Sequence, residues 1–215
     1  MNPYFICYKA ALSTFGATPI PYPSPNTVLI FLIAYLIGSI STAVVVARVF
    51  NLKDPRSAGS NNAGATNVLR LGGWRAGLLT LIGDVAKGAF LPLLCVLYDR
   101  PLHAVMAAGV GAVLGHVYPI YFGLKGGKGV ATGIGVLAVW HWPTCLIMLG
   151  TWLGTALLTR YASLASMLGF LMAAIYACLF TPLWAEPVLA LSALILYKHQ
   201  PNLKNLRAGT EPRLG

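Results

Sequence analysis

Charge is what this sequence has least of. Only 9% of its 215 residues are charged, and the acidic ones number five: Asp54, Asp84, Asp99, Glu186 and Glu211. A soluble domain carries roughly 25% charged residues. This composition, 57% hydrophobic with a mean hydropathy of +0.73, therefore excludes one and places the chain in a membrane. Cys7, Cys95, Cys145 and Cys178 stand far apart, three of them in apolar runs, which excludes a disulfide framework. No His-Glu or Cys spacing offers a metal site, and no cofactor is expected. A nucleotide P-loop is excluded as well. Phe122 stands where its first glycine belongs, and Gly129 stands where Ser or Thr belongs.

What the chain has instead is apolar runs with basic residues between them. Residues 27–49, 77–98 and 102–122 are each long enough for a bilayer core, which needs roughly 20 apolar residues. Shorter runs follow at 130–142, 143–159, 164–180 and 183–197, with breaks expected at Pro143, over 160–163 and at Pro182. The expected fold is an all-α polytopic integral membrane protein with about seven transmembrane helices. Five spans plus a re-entrant pair is the alternative, because several later runs are short for an untilted span. Residues 27–199 form the membrane domain, with cytoplasmic loops at 50–75 and 123–130, and 200–215 form a cytoplasmic tail. Residues 1–26 carry one charge, Lys9, and a cluster of four prolines that cannot continue a helix, so they read as an irregular Pro-rich leader. A cleaved signal peptide is poorly supported, because Asn2 and Pro3 stand where a basic region belongs. A start codon placed too far upstream explains the leader equally well.

The net charge of +10 invites a nucleic-acid partner, but position argues against one. With the N-terminus outside, Arg48, Lys53, Arg56, Arg70, Arg75, Lys125, Lys128, Arg160, Lys198, Lys204, Arg207 and Arg213 all fall inside, which is 12 of the 15 basic residues. Lys9 and Arg100 fall outside, and Lys87 lies within a span. The positive-inside rule therefore predicts N-out, C-in, and the basic loops are placed to meet anionic lipids or phosphorylated substrates.

Four constellations could carry chemistry. In Lys125-Gly126-Gly127-Lys128-Gly129, three glycines let backbone N–H groups converge on an anion and two lysines supply charge. The helix expected from Val130 adds a positive dipole end. The residues alone leave a second reading open, two lysine anchors around a tight turn. The stretch 59–70 is dense in small donors: Ser60, Asn62, Thr66 and Asn67 could line an anion site, and Arg70 offers a planar fork for phosphate. An ordinary turn-rich loop is its alternative. His199, just after the last span and close to Asn202, places a proton-transfer group on the same side, and Ser163 lies there too. Asp84 and Lys87, three apart in the second span, read as a mutually neutralised pair that fixes helix packing. His116 reads as buried and hydrogen-bonded.

From about residue 38 to 211 these motifs resemble, in order and spacing, the bacterial acyl-phosphate:glycerol-3-phosphate acyltransferases. The residues that carry the likeness are Gly38-Ser39-Ile40, the 59–70 loop, 84–88, 115–132 with its Lys-Gly-Gly-Lys-Gly-Val-Ala-Thr, and 199–211. The resemblance implies a multi-pass protein of the bacterial plasma (inner) membrane with its active site on the cytoplasmic face. Its implied reaction moves an acyl group from acyl phosphate to the 1-hydroxyl of glycerol 3-phosphate, giving lysophosphatidate and phosphate. It implies catalytic roles for Ser60, Arg70, His199 and Asn202, a phosphate loop at Lys125 to Gly129, and a structural role for Glu211. Membrane lipids and the enzyme that makes acyl phosphate are the implied partners. The chain departs at Asn61, where the family has glycine, but asparagine tolerates the left-handed region best among the other residues, so the turn is expected to survive. It departs again at Asn205, where the family has arginine. No histidine here has aspartate five positions on, so the His-x4-Asp pair of other glycerol-phosphate acyltransferases is absent. A transporter for phosphate or an organic phosphate is the alternative function; it would call for broken helices at mid-membrane, in two repeated halves.

Overall fold

Glycine and proline set where the helices stop and how closely they pack. The computed structural model describes residues 25–214, in which all regular structure is helical. Apart from its last two residues, the expected leader, with Cys7 and Lys9, lies outside the described residues. The chain runs through α1 (Pro25–Gly38), α2 (Thr42–Val49), α3 (Ala65–Leu97), α4 (Leu102–Val117) and a 3-10 turn (Ile120–Phe122). It continues with α5 (Val130–Trp140), α6 (Trp142–Thr159), α7 (Ala162–Phe180), α8 (Pro182–Lys198) and α9 (Gln200–Arg207). Five stretches are long and apolar enough to cross a membrane: Pro25–Val49, Ala65–Leu97, Leu102–Phe122, Trp142–Thr159 and Ala162–Phe180. With the shorter α5 and α8 beside them, the described residues form the expected all-α membrane fold. The later breaks fall at His141, Arg160–Tyr161 and Thr181, each within two residues of its expected place.

One boundary moves. The loop expected over 50–75 ends at Gly64, which caps α3 in extended conformation (φ −148°, ψ 162°). Gly72-Gly73 looks like a turn in sequence but is absorbed as a kink, with Gly73 at φ 78°. Thirty-three helical residues rise about 50 Å, more than the ~30 Å hydrocarbon core, so the turns before Gly73 reach beyond the apolar slab. Trp74 at the kink is exposed, with the Arg75 guanidinium 5.5 Å from its ring centroid, as an interfacial anchor would be.

The first apolar stretch is broken at 39–41, and side chains brace the break. Ser39 Oγ donates to Tyr35 O at 2.8 Å, Lys87 Nζ donates to Ile40 O at 2.8 Å, and Tyr35 Oη donates to Tyr118 O at 2.8 Å. The segment is thereby tied to α3 and to the end of α4.

Packing relies on backbones in contact. A Cβ on Gly115 would overlap the carbonyl oxygen of Tyr35, and one on Gly38 that of Ala112, which draws α1 against α4. Gly88 against Thr132 and Gly135 against Val85 do the same for α3 and α5. Small residues permit close van der Waals approach where lipid removes the hydrophobic drive between helices. Phe170, Leu137, Met148 and Ile195 fill the interior, while Leu157, Leu158, Leu179 and Phe180 project outward as a lipid-facing surface.

Gly115→Ala should therefore destabilise the protein by about 1–3 kcal/mol, the usual range for overpacking against atoms that cannot move. Gly150→Ala, with nothing within 4 Å of the new methyl, should be close to neutral. Thermal unfolding in detergent compares the two.

Candidate active site

The connections 50–64, 118–129, 160–161 and 199 meet at one end of the bundle around a cavity of about 720 Å³. Four helix starts open on it: Gly64 to Thr66 at α3, Gly129 to Ala131 at α5, Ala162 and Ser163 at α7, and His199 to Asn202 at α9. The first turn of a helix has N–H groups without intrahelical partners and the positive end of the dipole, so all four favour an anion. Arg70, Lys128 and Lys198 add side-chain charge. Leu81, Val130, Ile134, Leu149 and Trp152 supply an apolar wall to the same space. The arrangement suits an amphiphile with an anionic head.

Asn67 organises the first loop. Its Oδ1 accepts from Ser60 N–H at 2.9 Å, and its Nδ2 donates to the carbonyls of Pro55, Ala58 and Asn62 at 2.9–3.0 Å. It is buried, and these bonds give it a scaffold role in the loop, while it also stands in the cavity lining. Gly59 (φ 64°) and Asn61 (φ 53°) adopt the left-handed turn, so asparagine does replace the family's glycine there. Ser60, Asn62, Thr66 and Arg70 line the cavity. Arg56 is kept out of it by a bidentate pair with Asp54, whose carboxyl it holds below the usual range.

The glycine-lysine loop is pressed against α4. Gly127 N–H donates to His116 O at 3.1 Å, a Cβ on Gly126 would overlap that oxygen, and one on Gly127 would overlap His116 Nε2. Gly129 caps α5 at φ 90°, where a side chain would be strained. Gly126 to Gly129 line the cavity, whereas Lys125 is exposed and outside the lining. Burial pushes the Lys128 ammonium down to about 8; Arg70 and Lys198 add to the shift and Glu211 opposes it.

His199, Asn202, Glu211 and Ser163 close the other side. His199 is buried, with Nδ1 2.8 Å from the Ile195 carbonyl. A carbonyl only accepts, so Nδ1 carries the proton and Nε2 presents a lone pair. Burial, reinforced by Lys128, pushes this imidazole down to about 4 despite the Ile195 hydrogen bond and Glu211, so it is neutral at pH 7. Asn202 Nδ2 donates to Glu211 Oε1 at 2.7 Å, leaving Asn202 Oδ1, Glu211 Oε2 and the Ser163 hydroxyl buried without partners. Arg70 Nη2 reaches the Pro212 carbonyl at 3.4 Å, so the tail crosses the cavity mouth. Asn205 lines the cavity as well.

Asp84 and Lys87 pair as expected, with Nζ 2.9 Å from Oδ1. The pair has a third member, since His116 Nδ1 lies 3.5 Å from the same oxygen. Both contacts are coulombic; they miss hydrogen-bond angles, and Nζ donates to Ile40 O instead. Among the described residues no three His, Cys, Asp or Glu side chains are placed to hold a metal ion.

Sequence reasoning missed the α3 and α9 starts, Lys198 and Trp152 as parts of this wall. Pro201 in the first turn of α9 was the available signal.

A family profile described as glycerol-3-phosphate acyltransferase matches residues 28–209. A glycerol-3-phosphate acyltransferase of Janthinobacterium sp. is 50% identical over 197 residues, covering 88% of this chain and 98% of that protein. One of Methylococcus capsulatus is 49% identical over 191 residues, covering 85% and 93%. The crystal structure of PlsY (YgiH), an integral membrane glycerol 3-phosphate acyltransferase, in its glycerol 3-phosphate form superposes with a TM-score of 0.82 at 35% identity, over 88% of this chain and 96% of that one. Its lysophosphatidic acid form superposes with a TM-score of 0.78 at 34% identity, with the same coverage. With a profile spanning most of its length and relatives near half identical across it, this chain belongs to the glycerol-3-phosphate acyltransferase family.

Proposed function

We propose that the protein transfers a fatty acyl group from acyl phosphate to the 1-hydroxyl of sn-glycerol 3-phosphate, giving lysophosphatidate and inorganic phosphate, the first step of phospholipid synthesis. The observation that carries this reading is the convergence of four helix starts and three cations on a cavity with one apolar wall. Such a space takes two anionic heads and one acyl chain. The transporter alternative has no comparable support, since these polar groups gather at one end of the bundle and the family is one of acyltransferases.

Acyl phosphate is a mixed anhydride with phosphate already a good leaving group, so no protein nucleophile is needed. The protein has to hold two anions, aim the hydroxyl at the carbonyl and stabilise the oxyanion. Lys128 and the N–H groups of this loop other than that of Gly127, which is bonded to the His116 carbonyl, hold glycerol 3-phosphate. Ser60 and Arg70 hold the acyl phosphate head, with Asn62 and Thr66 beside them. Asn202, oriented by Glu211, and the Ser163 hydroxyl have free acceptor or donor capacity toward the substrates. The hydroxyl oxygen forms the new ester bond, the carbonyl–phosphate bond breaks, and the proton passes to His199 Nε2 or to the substrate's own phosphate. The charge pattern supports seven spans, N-out and C-in, with the site on the cytoplasmic face of a bacterial plasma membrane, where an acyl-phosphate-producing enzyme would supply the donor.

Purified protein in detergent, given palmitoyl phosphate and glycerol 3-phosphate, should release phosphate and form lysophosphatidate, and should form none from palmitoyl-CoA. No turnover from a folded, monodisperse sample would overturn the reading. Ser60→Ala, Arg70→Ala and His199→Ala should each lower kcat/KM by about 100-fold or more, the scale of losing one preorganised catalytic group. Lys125→Ala should stay within about threefold, as an exposed charge is worth at most about 1 kcal/mol.

The pH dependence has a defined sign. Lys128 loses its charge as pH rises through about 8, so the calorimetric Kd for glycerol 3-phosphate should weaken about tenfold from pH 7 to 9. Lys128→Arg should abolish that rise. His199, already neutral well below pH 6, should contribute no limb to kcat between pH 5.5 and 8.

A further inference from the structure

The buried charges of α3 are not accounted for by the transfer chemistry. Asp84, Lys87 and His116 are each less than a tenth exposed. An ionised side chain there costs about 2.5–3.5 kcal/mol unless it is paired, so a structure keeps one only where it is used. Lys87 joins two partners, the Asp84 carboxylate and the Ile40 carbonyl freed by the break between α1 and α2. Asp84 joins Lys87 to His116. His116 in turn meets the glycine loop twice: its carbonyl accepts from Gly127 N–H, and its ring fills the space that a side chain on Gly127 would need. Asp84 and His116 both line the cavity, as do Gly126 and Gly127. The chain of contacts therefore runs from the α1–α2 break through α3 and α4 to the backbone that faces the acceptor phosphate.

We infer that His116, held by Asp84, is a positioning residue that seats the glycine loop and thereby sets the affinity for glycerol 3-phosphate without taking part in bond making. The inference rests on the reading of residues 126–129 as the acceptor's phosphate loop. Its physical content is geometric. Backbone N–H groups bind phosphate well only if they converge, and a loop with this many glycines has no rigidity of its own. The imidazole supplies the wall against which it is ordered, and the carboxylate keeps the imidazole from rotating away. Asp84 Oδ1 lies 3.5 Å from Nδ1 and attracts that side of the ring, which leaves the Nε2 edge toward Gly127.

Two substitutions separate the parts. His116→Asn keeps a donor near Asp84 but removes the ring edge behind Gly127, whereas His116→Gln reaches the Nε2 position. In His116→Asn, KM and calorimetric Kd for glycerol 3-phosphate should rise tenfold or more, with kcat at saturation within threefold of the parent and KM for palmitoyl phosphate unchanged. His116→Gln should recover part of the affinity. Hydrogen exchange should rise in residues 123–130 of His116→Asn and stay unchanged elsewhere. A purely structural role would instead lower stability and exchange protection throughout the bundle without splitting KM from kcat. Unchanged affinity in a folded His116→Asn protein, or a 100-fold loss of kcat with KM intact, would overturn the inference. Should His116→Asn not yield a monodisperse sample, Gly127→Ala tests the same contact from the other side, and undiminished binding there would equally overturn it. The parent protein distinguishes the two levels. If it neither binds nor acylates glycerol 3-phosphate, the functional reading fails and takes this inference with it; if it does both, the His116 variants decide the inference alone.

Discussion

The first turn of a helix leaves backbone N–H groups without intrahelical partners and carries the positive end of the helix dipole. The site of this protein is assembled from such groups. The starts of α3, α5, α7 and α9 open on one cavity, and the cations Arg70, Lys128 and Lys198 stand beside three of them. Everything else serves that convergence. Close glycine contacts hold α1 against α4 and α3 against α5, so that the ends are brought to one level. Asn67 fixes the loop before α3 through its amide, and the Asp84–Lys87–His116 network meets the loop before α5 at Gly127.

Burial at this site explains the state of the functional groups. Lys128 and His199 are shielded enough for burial to favour their neutral forms, one to about 8 and the other to about 4. At neutral pH that leaves a lysine mostly charged, suited to hold a phosphate, and a histidine uncharged with a free Nε2, suited to receive a hydrogen bond from a hydroxyl. Glu211, the one carboxylate on the C-terminal wall, is bonded through Oε1 to Asn202 and so orients an amide.

Much of this was legible in the sequence because membrane proteins write their architecture in composition. The apolar runs, the later helix breaks and the anion-suited glycine loop follow from residue type and spacing, and the tolerance of Asn61 for φ 53° follows from its side chain. Three things did not follow. The 50–75 stretch looked like one loop because Gly72-Gly73 resembles a turn, yet a long helix absorbed it as a kink at Gly73. The scaffold role of Asn67 was not visible because its amide is identical in chemistry to that of Asn62, and only the folded loop shows that Pro55, Ala58, Ser60 and Asn62 all converge on it. The tie between Asp84 and His116 links two helices across 32 positions, a contact that no local pattern encodes.

The account assigns the reaction to positioning: two anions are held side by side, and the acyl group passes directly between them without resting on the protein. Initial rates measured over a grid of palmitoyl phosphate and glycerol 3-phosphate concentrations test that claim most directly. Direct transfer in a ternary complex predicts double-reciprocal lines that intersect, and a protein of unchanged intact mass after exposure to the donor alone. Parallel lines together with a mass increase of one palmitoyl group would reveal an acyl-enzyme and contradict it.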